Sequence, residues 1–462
     1  MAHPYMPNST PTARALMLAA VGVDDVEELF EQIPPDHRIS RPLGLPPGIR
    51  SEATLDRLMR GLLSRNRSIS DVINFLGAGL WQHHVPAVCD EIAGRSEFLT
   101  NVWGTPSSDV GRNQAWFEYA SQLGELVGME FVGLPVYSWG AAAGYAARMA
   151  ARMTGRGEVV VAGPMDPERL AVLRTLCGPA EMERSLTLRT VGYDPATGRA
   201  DLDAIAAAIG PATAAVYIEN PNFLGMLEAD AGEIAGLARA AGAETIVGVD
   251  PISLGLLAAP STYGADIIVG TTQPLGVHMH AGGGIGGFIA TRDDERYARQ
   301  YPTLQSSLAA TRRPGERSFG MTLFHQTSYG SREDGNDWTG NSVYLWAVVN
   351  AVYMALMGPQ GFAEIGTTIS ANSAWAADRI AQVPGVRVRW RGFFKEFVVD
   401  FSDTGRTVTE INAALRSADI FGGKDLSTDF PELGQSALYC VTEVHTAEDI
   451  HALVAGLKEA LA

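Results

Sequence analysis

Three places in the middle of the chain combine residue types that could do chemistry. The run Tyr137-Ser-Trp-Gly-Ala-Ala-Ala-Gly144 leads into a helical pattern from Tyr145 to Met153. A turn of small residues opening a helix presents free backbone N–H groups and the positive end of the helix dipole, which suits a phosphate. Tyr137, Trp139 and Gly140 are the candidate contacts, and the alternative is an N-cap with close helix packing. Asp250 closes the apolar run Ile246-Val-Gly-Val-Asp250. An acid at the carboxyl end of a parallel strand sits where such sheets place ligands; the alternative is a cap on the turn that begins Asp250-Pro-Ile-Ser253. The third place is the Gly-rich loop Gly270 to Gly287, with Gln273, His278 and His280. Its His-x-His spacing raises zinc, but no nearby acid or cysteine completes a ligand set, so no metal is expected. Its glycines permit close backbone approach to a ligand or a subunit.

A phosphate cradle and a strand-end acid are two fixtures of a pyridoxal phosphate (PLP) site, the acid keeping the pyridine nitrogen protonated. Such a site also needs a lysine amine to hold the aldehyde as a Schiff base. Only three lysines occur, Lys395, Lys424 and Lys458, and none lies where this architecture needs one. The stretch that should supply it reads Gly270-Thr-Thr-Gln-Pro-Leu-Gly276 and holds no amine. No catalytic residue is therefore expected in this chain, and a conventional aminotransferase is excluded.

The elements that must position these residues alternate. Strand candidates are Glu158 to Ala162, Ser185 to Val191, Ala214 to Glu219, Thr245 to Asp250, Asp266 to Val269 and Gly286 to Ala290. Helical runs Pro167 to Cys177, Leu202 to Ile209 and Ala231 to Ala241 lie between them. Short β-branched runs separated by helices indicate an α/β protein with a mainly parallel sheet covered on both faces. After about residue 335 come a helix from Val343 to Met357 ending at Gly358-Pro359, a second helix to Ile380, and strands near 386–390, 397–401 and 437–442. The expected organisation is an N-terminal arm with helices (1–65), a large domain (66–334) and a smaller C-terminal α+β domain (335–462). Within the arm, Ser51 is a plausible N-cap for an apolar-faced helix to Leu63, and a segment with so little core wraps a neighbour.

Composition limits the rest. With 46% hydrophobic and 19% charged residues the chain is of globular type. A net charge of −17 argues against nucleic acid and against anionic membrane surfaces. No apolar run approaches the roughly 20 residues of a membrane span. The N-terminal residues lack the pattern of a signal peptide, and three scattered cysteines suit a reducing compartment, so a cytoplasmic protein is expected.

The chain resembles the alpha subunit (subunit 1) of the split glycine decarboxylase, the P-protein of the glycine cleavage system. The residues that carry the likeness span nearly the whole length. They include His3-Pro-Tyr-Met-Pro7, Phe75-Leu-Gly-Ala-Gly79, Val85-Pro-Ala-Val88, Arg95-Ser-Glu-Phe-Leu-Thr100 and Asn220-Pro-Asn-Phe-Leu-Gly225. Further on are Pro251-Ile-Ser-Leu-Gly-Leu-Leu257, Gly392-Phe-Phe-Lys-Glu-Phe-Val-Val399, Phe421-Gly-Gly-Lys-Asp-Leu426 and Cys440-Val-Thr-Glu443.

The resemblance implies a fold-type I PLP-dependent transferase (aminotransferase-like) fold. It also implies the missing lysine, because in the split enzyme a beta subunit carries the PLP-lysine and Gln273-Pro274 stands where beta has His-Lys. The implied partners are that beta subunit, in a heterotetramer or else a homodimer, and the lipoylated H-protein that receives glycine's aminomethyl group. Residues implied to reach a shared cofactor site or the subunit interface are Asn220 and Asn222, His83 and His84, and the 270–284 loop. Two segments depart from the family pattern, 103–112 and 331–341, which leaves open a divergent enzyme acting on another amino acid or amine. A purely structural partner subunit is the other alternative.

Overall fold

The structure, a computed structural model, describes residues 3–39, 41, 43–99, 106–181, 184–322, 324–337, 339 and 343–462. The chain forms two compact units, Met1–Arg67 and Ser68–Ala462. In the first, Thr10 caps α1 (Pro11–Val21) and Ser51 caps α2 (Glu52–Leu63), the Ser51 Oγ accepting from the Thr54 N–H at 3.4 Å. None of the described residues of this unit is buried. Leu55, Leu58, Met59 and Leu62 recur at helical spacing along α2 and stay 44–46% exposed. The unit therefore has an apolar face and no core of its own.

The second unit is built on β1 (Phe131–Val132), α3 (Trp139–Thr154), β2 (Glu158–Ala162), β3 (Thr187–Val191), β4 (Thr213–Glu219), β5 (Glu244–Val249), β6 (Ile267–Thr271) and β7 (Gly287–Thr291). The strands lie in the order β1-β7-β6-β5-β4-β2-β3. Strands β2 to β6 run parallel, while β7 is antiparallel to both β6 and β1. Every residue of β4, β5, β6 and β7 is buried, which is why they read as continuous apolar runs rather than alternating ones. Helix α3 packs on one face and begins at Trp139, earlier than the apolar pattern from Tyr145 indicates, because the Ser138 hydroxyl caps it through the Ala141 N–H at 3.2 Å.

The other face is covered by α4 (Tyr344–Ile380), which breaks at Gly358 (φ +57°) before Pro359, where the sequence places the stop. Its Val348, Tyr353 and Phe362 join Val249, Ile268 and Leu275 in one core. A second sheet holds β8 (Arg387–Val388), β9 (Glu396–Asp400), β10 (Lys424–Asp425) and β11 (Ser436–Cys440) in the antiparallel order β8-β9-β11-β10. Among the described residues no helix is long and apolar enough to cross a membrane.

The two sheets meet where the turn after β4 touches the turn before β9. Phe394 N–H donates to the Gly225 carbonyl and Leu227 N–H to the Gly392 carbonyl, each at 3.0 Å. Gly225 has φ +85°, and a methyl group there would collide with the backbone of Glu396. Gly225→Ala is expected to destabilise the chain by about 3 kcal/mol, from left-handed strain plus the clash. Urea denaturation checks this, and a variant within 0.5 kcal/mol of wild type, roughly the scatter of neutral substitutions, contradicts it.

Candidate functional site

The site lies beyond the carboxyl ends of β4 and β5. Asp250 follows β5 and uses one oxygen locally, Oδ1 accepting the Ile252 N–H at 3.1 Å and capping the turn Pro251–Gly255. Its other oxygen, Oδ2, lies 2.7 Å from the Nζ of Lys395, and the two side chains are 4% and 2% exposed. Lys395 sits just before β9 with φ +50°, a left-handed conformation costing a side-chain-bearing residue about 1–2 kcal/mol. It is held there by the Phe394 bond to Gly225 and by the Val441 N–H, which donates to the Lys395 carbonyl at 2.9 Å.

The ammonium has two further partners. It lies 3.3 Å from the centroid of the Trp81 ring. It is also 3.2 Å from His83 Nε2. An ammonium can only donate, so Nε2 accepts, and the His83 proton resides on Nδ1, facing Glu443 Oε2 at 2.8 Å. The other Glu443 oxygen accepts the His84 N–H at 2.8 Å. A continuous chain of polar contacts thus runs Asp250, Lys395, His83, Glu443. Beside it, Glu396 is buried and accepts the Ala78 N–H at 2.5 Å; burial pushes its carboxyl up to about 7, the Ala78 bond working against that.

A second cation repeats the pattern. The Arg169 guanidinium lies 3.6 Å over the Trp139 ring, 2.5 Å from Glu219 Oε1 at the end of β4 and 3.4 Å from Asp166 Oδ2. Burial disfavours its charge, but Glu219 and Asp166 more than offset this, leaving its pKa above the ordinary value. Trp81 and Trp139 meet edge to face at 6.3 Å between centroids. Each indole is thus covered by a cation of the same chain, and each cation is matched by a strand-end carboxylate. The space left among these side chains is about 10 Å³. That is room for roughly one water and none for a pyridine ring on Asp250; a cavity of about 400 Å³, lined by Ser138, Gly140 and Thr271, adjoins it at Gly79, Trp139 and Arg169.

PLP does not fit on the Asp250 carboxylate of this chain. The acid that would pair with its ring nitrogen is taken by Lys395, and Gln273-Pro274 beyond β6 offers no amine. Lys424 pairs with Asp429 at 3.0 Å, and Lys458 lies exposed on the C-terminal helix. Among the described residues no cluster of His, Cys, Asp or Glu could hold a metal ion.

The glycine cleavage system P-protein family model matches residues 3–457. The chain belongs to that family. It is 34% identical to a probable glycine dehydrogenase (decarboxylating) subunit 1 of Staphylothermus marinus, over 99% of this chain and 98% of that one. The corresponding protein of Pyrococcus horikoshii is 36% identical over the full length of both. Among solved structures, an inhibitor-bound glycine decarboxylase (P-protein) of the glycine cleavage system superposes with a TM-score of 0.86 at 32% identity, covering 99% of this chain and 100% of that one. A sphingosine-1-phosphate lyase of Burkholderia pseudomallei shares the fold alone, with a TM-score of 0.63 at 16% identity over 90% of this chain and 91% of that one. The expected α/β fold with a mainly parallel sheet is thus shared with a P-protein and with a sphingosine-1-phosphate lyase.

Within this P-protein fold the ten residues singled out by sequence divide sharply. Trp139, Asn222, Asp250 and His83 gather around Lys395. Asn222 is nonetheless committed to local structure, donating to Glu228 at 2.7 Å and to the Gly198 carbonyl at 2.9 Å. Asn220 likewise accepts the Glu228 N–H at 3.1 Å and contacts the Tyr263 hydroxyl at 3.3 Å. Gln273 folds back to the Val277 carbonyl at 3.1 Å. Gly140 packs against Val172, where a side chain would not fit. Tyr137, His84 and His278 are exposed or half-exposed, His278 lying 2.9 Å from Asp90. Residues 103–105, 338, 340 and 341 of the two divergent segments, and Thr100 of the Arg95 motif, lie outside the described residues.

Sequence reasoning missed Trp81, Arg169, Glu219, Glu396, Glu443 and above all Lys395. Lys395 lies inside the site, on the acid rather than on the loop after β6 where a Schiff-base lysine would stand. The one available signal was the motif Gly392 to Val399, which centres on it.

Buried Glu396 and Glu228 both have carboxyls pushed up to about 7, primarily by desolvation. A folded pKa above the unfolded value means the native state holds the proton more tightly. That stability is therefore full below the unfolded pKa and is lost as pH rises towards 7. Relative to wild type, Glu396→Gln is expected to gain about 2–3 kcal/mol between pH 5 and pH 8. Urea denaturation at the two pH values reads the difference, and a constant offset would mean that Glu396 ionises normally.

Proposed function

We propose that this chain is the alpha subunit (subunit 1) of a split glycine decarboxylase, and that PLP with its lysine is carried by a partner beta subunit. The observation that carries the reading is the lysine-free loop Thr272-Gln273-Pro274 after β6, in a fold whose other two fixtures, a strand-end acid and a small-residue helix start, are both retained. The names of the relatives, each a subunit 1, support a partner chain. In such an assembly the partner supplies decarboxylation, and its aminomethyl product passes to a lipoylated H-protein. This chain contributes a rigid paralogous fold and an interface, which positions the partner's site without joining in its chemistry.

The candidates Tyr137, His84, His278 and His280 are exposed and so able to meet a partner, whereas Asn220, Asn222 and Gln273 are spent on local turns. The N-terminal unit supports the same reading, because a unit none of whose described residues is buried gains a core only by packing on something else. The alternative of a stand-alone lysine-less enzyme is disfavoured by the filled site.

Exchange of labelled CO2 into glycine tests the assignment. The chain alone is expected to show neither exchange nor a PLP absorbance band, and a mixture with a PLP-bearing beta subunit to show both. Exchange by the isolated chain would overturn the reading, as would a reconstituted pair without activity. The double variant Leu58→Asp/Leu62→Asp is expected to weaken association with that subunit by about tenfold or more, as lost burial of two leucines exceeds 1.4 kcal/mol. Sedimentation of the mixture measures it, and unchanged affinity would remove the arm from the interface.

A further inference from the structure

We propose that Lys395 is a built-in occupant of the cofactor position, its ammonium replacing on Asp250 the protonated ring nitrogen and its side chain, with that of Arg169, filling the space a pyridine ring would need. The inference rests on the reading of this chain as the cofactor-free subunit and explains how the site stays closed. In PLP enzymes a carboxylate at this strand end is matched to a cationic heterocycle. Deleting the cofactor from such a fold would leave a buried anion and a void, each destabilising.

Here one side chain answers both problems. The Lys395 Nζ lies 2.7 Å from Asp250 Oδ2, and its charge rests 3.3 Å from the Trp81 ring centroid. The Trp139 face is covered by Arg169 at 3.6 Å rather than left bare. His83 Nε2 accepts a hydrogen bond from the ammonium at 3.2 Å and the ring is itself anchored by Glu443, so the lysine is aimed by contacts on several sides. The left-handed backbone of Lys395, φ +50°, is what turns the side chain inward from the start of β9. A residue present only for packing would not need a strained backbone, a carboxylate, an imidazole and an indole to hold it. The occupant also ties the end of β5 to the start of β9, so the same contact that excludes a cofactor joins the two sheets.

The test uses the full-length chain alone. Wild type, Lys395→Ala and Lys395→Met are melted with and without n-butylammonium, with n-butanol as an uncharged control of the same length. Each protein is also incubated with PLP, reduced with borohydride and mapped by mass spectrometry. Butylammonium is expected to raise the melting temperature of Lys395→Ala by several degrees and to leave wild type and Lys395→Met unchanged. Lys395 of the wild type is expected to carry no pyridoxyl group. Should Lys395→Ala not fold, Lys395→Met decides: it keeps the volume but strands Asp250, so it melts below wild type, and adding Asp250→Asn restores most of the loss.

A pyridoxyl group on Lys395 would overturn the proposal, because the lysine would then be a cofactor ligand. So would rescue by butanol as strong as by butylammonium, or Lys395→Met melting with wild type. These readouts need neither partner nor turnover, so their failure is distinct from a failed exchange assay.

Discussion

The contact between Asp250 and Lys395 takes two full charges out of water at 2.7 Å, with each side chain at most 4% exposed. Desolvating either ion alone costs several kcal/mol, so each is tolerated only because the other is present. That requirement propagates outward. Asp250 is fixed by the turn it caps, and Lys395 by the backbone pairing of Phe394 with Gly225 and by His83. Gly225 must be glycine for the second sheet to approach closely enough. The junction of the two sheets follows from holding one ion pair dry.

Arg169 over Trp139 shows the same logic in a neighbouring position. Protein interiors are packed to crystalline density, so a fold that no longer holds a ligand cannot simply leave its place vacant. Cations on indole faces keep both the positive charge and the flat, apolar shape that the surrounding strand ends and helix start are built to receive. The chain can thereby retain the architecture without the reactive group.

The fold was legible to within a residue or two at most strand and helix ends. Pure apolar runs such as Ile246 to Val249 fit buried parallel strands, and Gly358-Pro359 marks the break in α4. The start of α3 was less so, because Ser138 caps it through a local hydrogen bond that apolar periodicity does not register. The site was half legible. Asp250 and Trp139, singled out from strand-end and helix-start placement, both line the space around Lys395. Asn220, Asn222 and Gln273 were drawn in by their motifs, yet their amides close local turns, the common fate of such side chains in loops.

By itself the sequence determined the element order, the strand-end acid and the lack of an amine at Gln273-Pro274, since each is a property of residue type and local spacing. Only the tertiary structure decided what fills the site. Lys395 belongs to a different sheet from Asp250, and nothing local to either residue specifies their meeting. It arises because close backbone packing at Gly225 and a left-handed turn at Lys395 bring a distant ammonium to the buried Asp250 carboxylate.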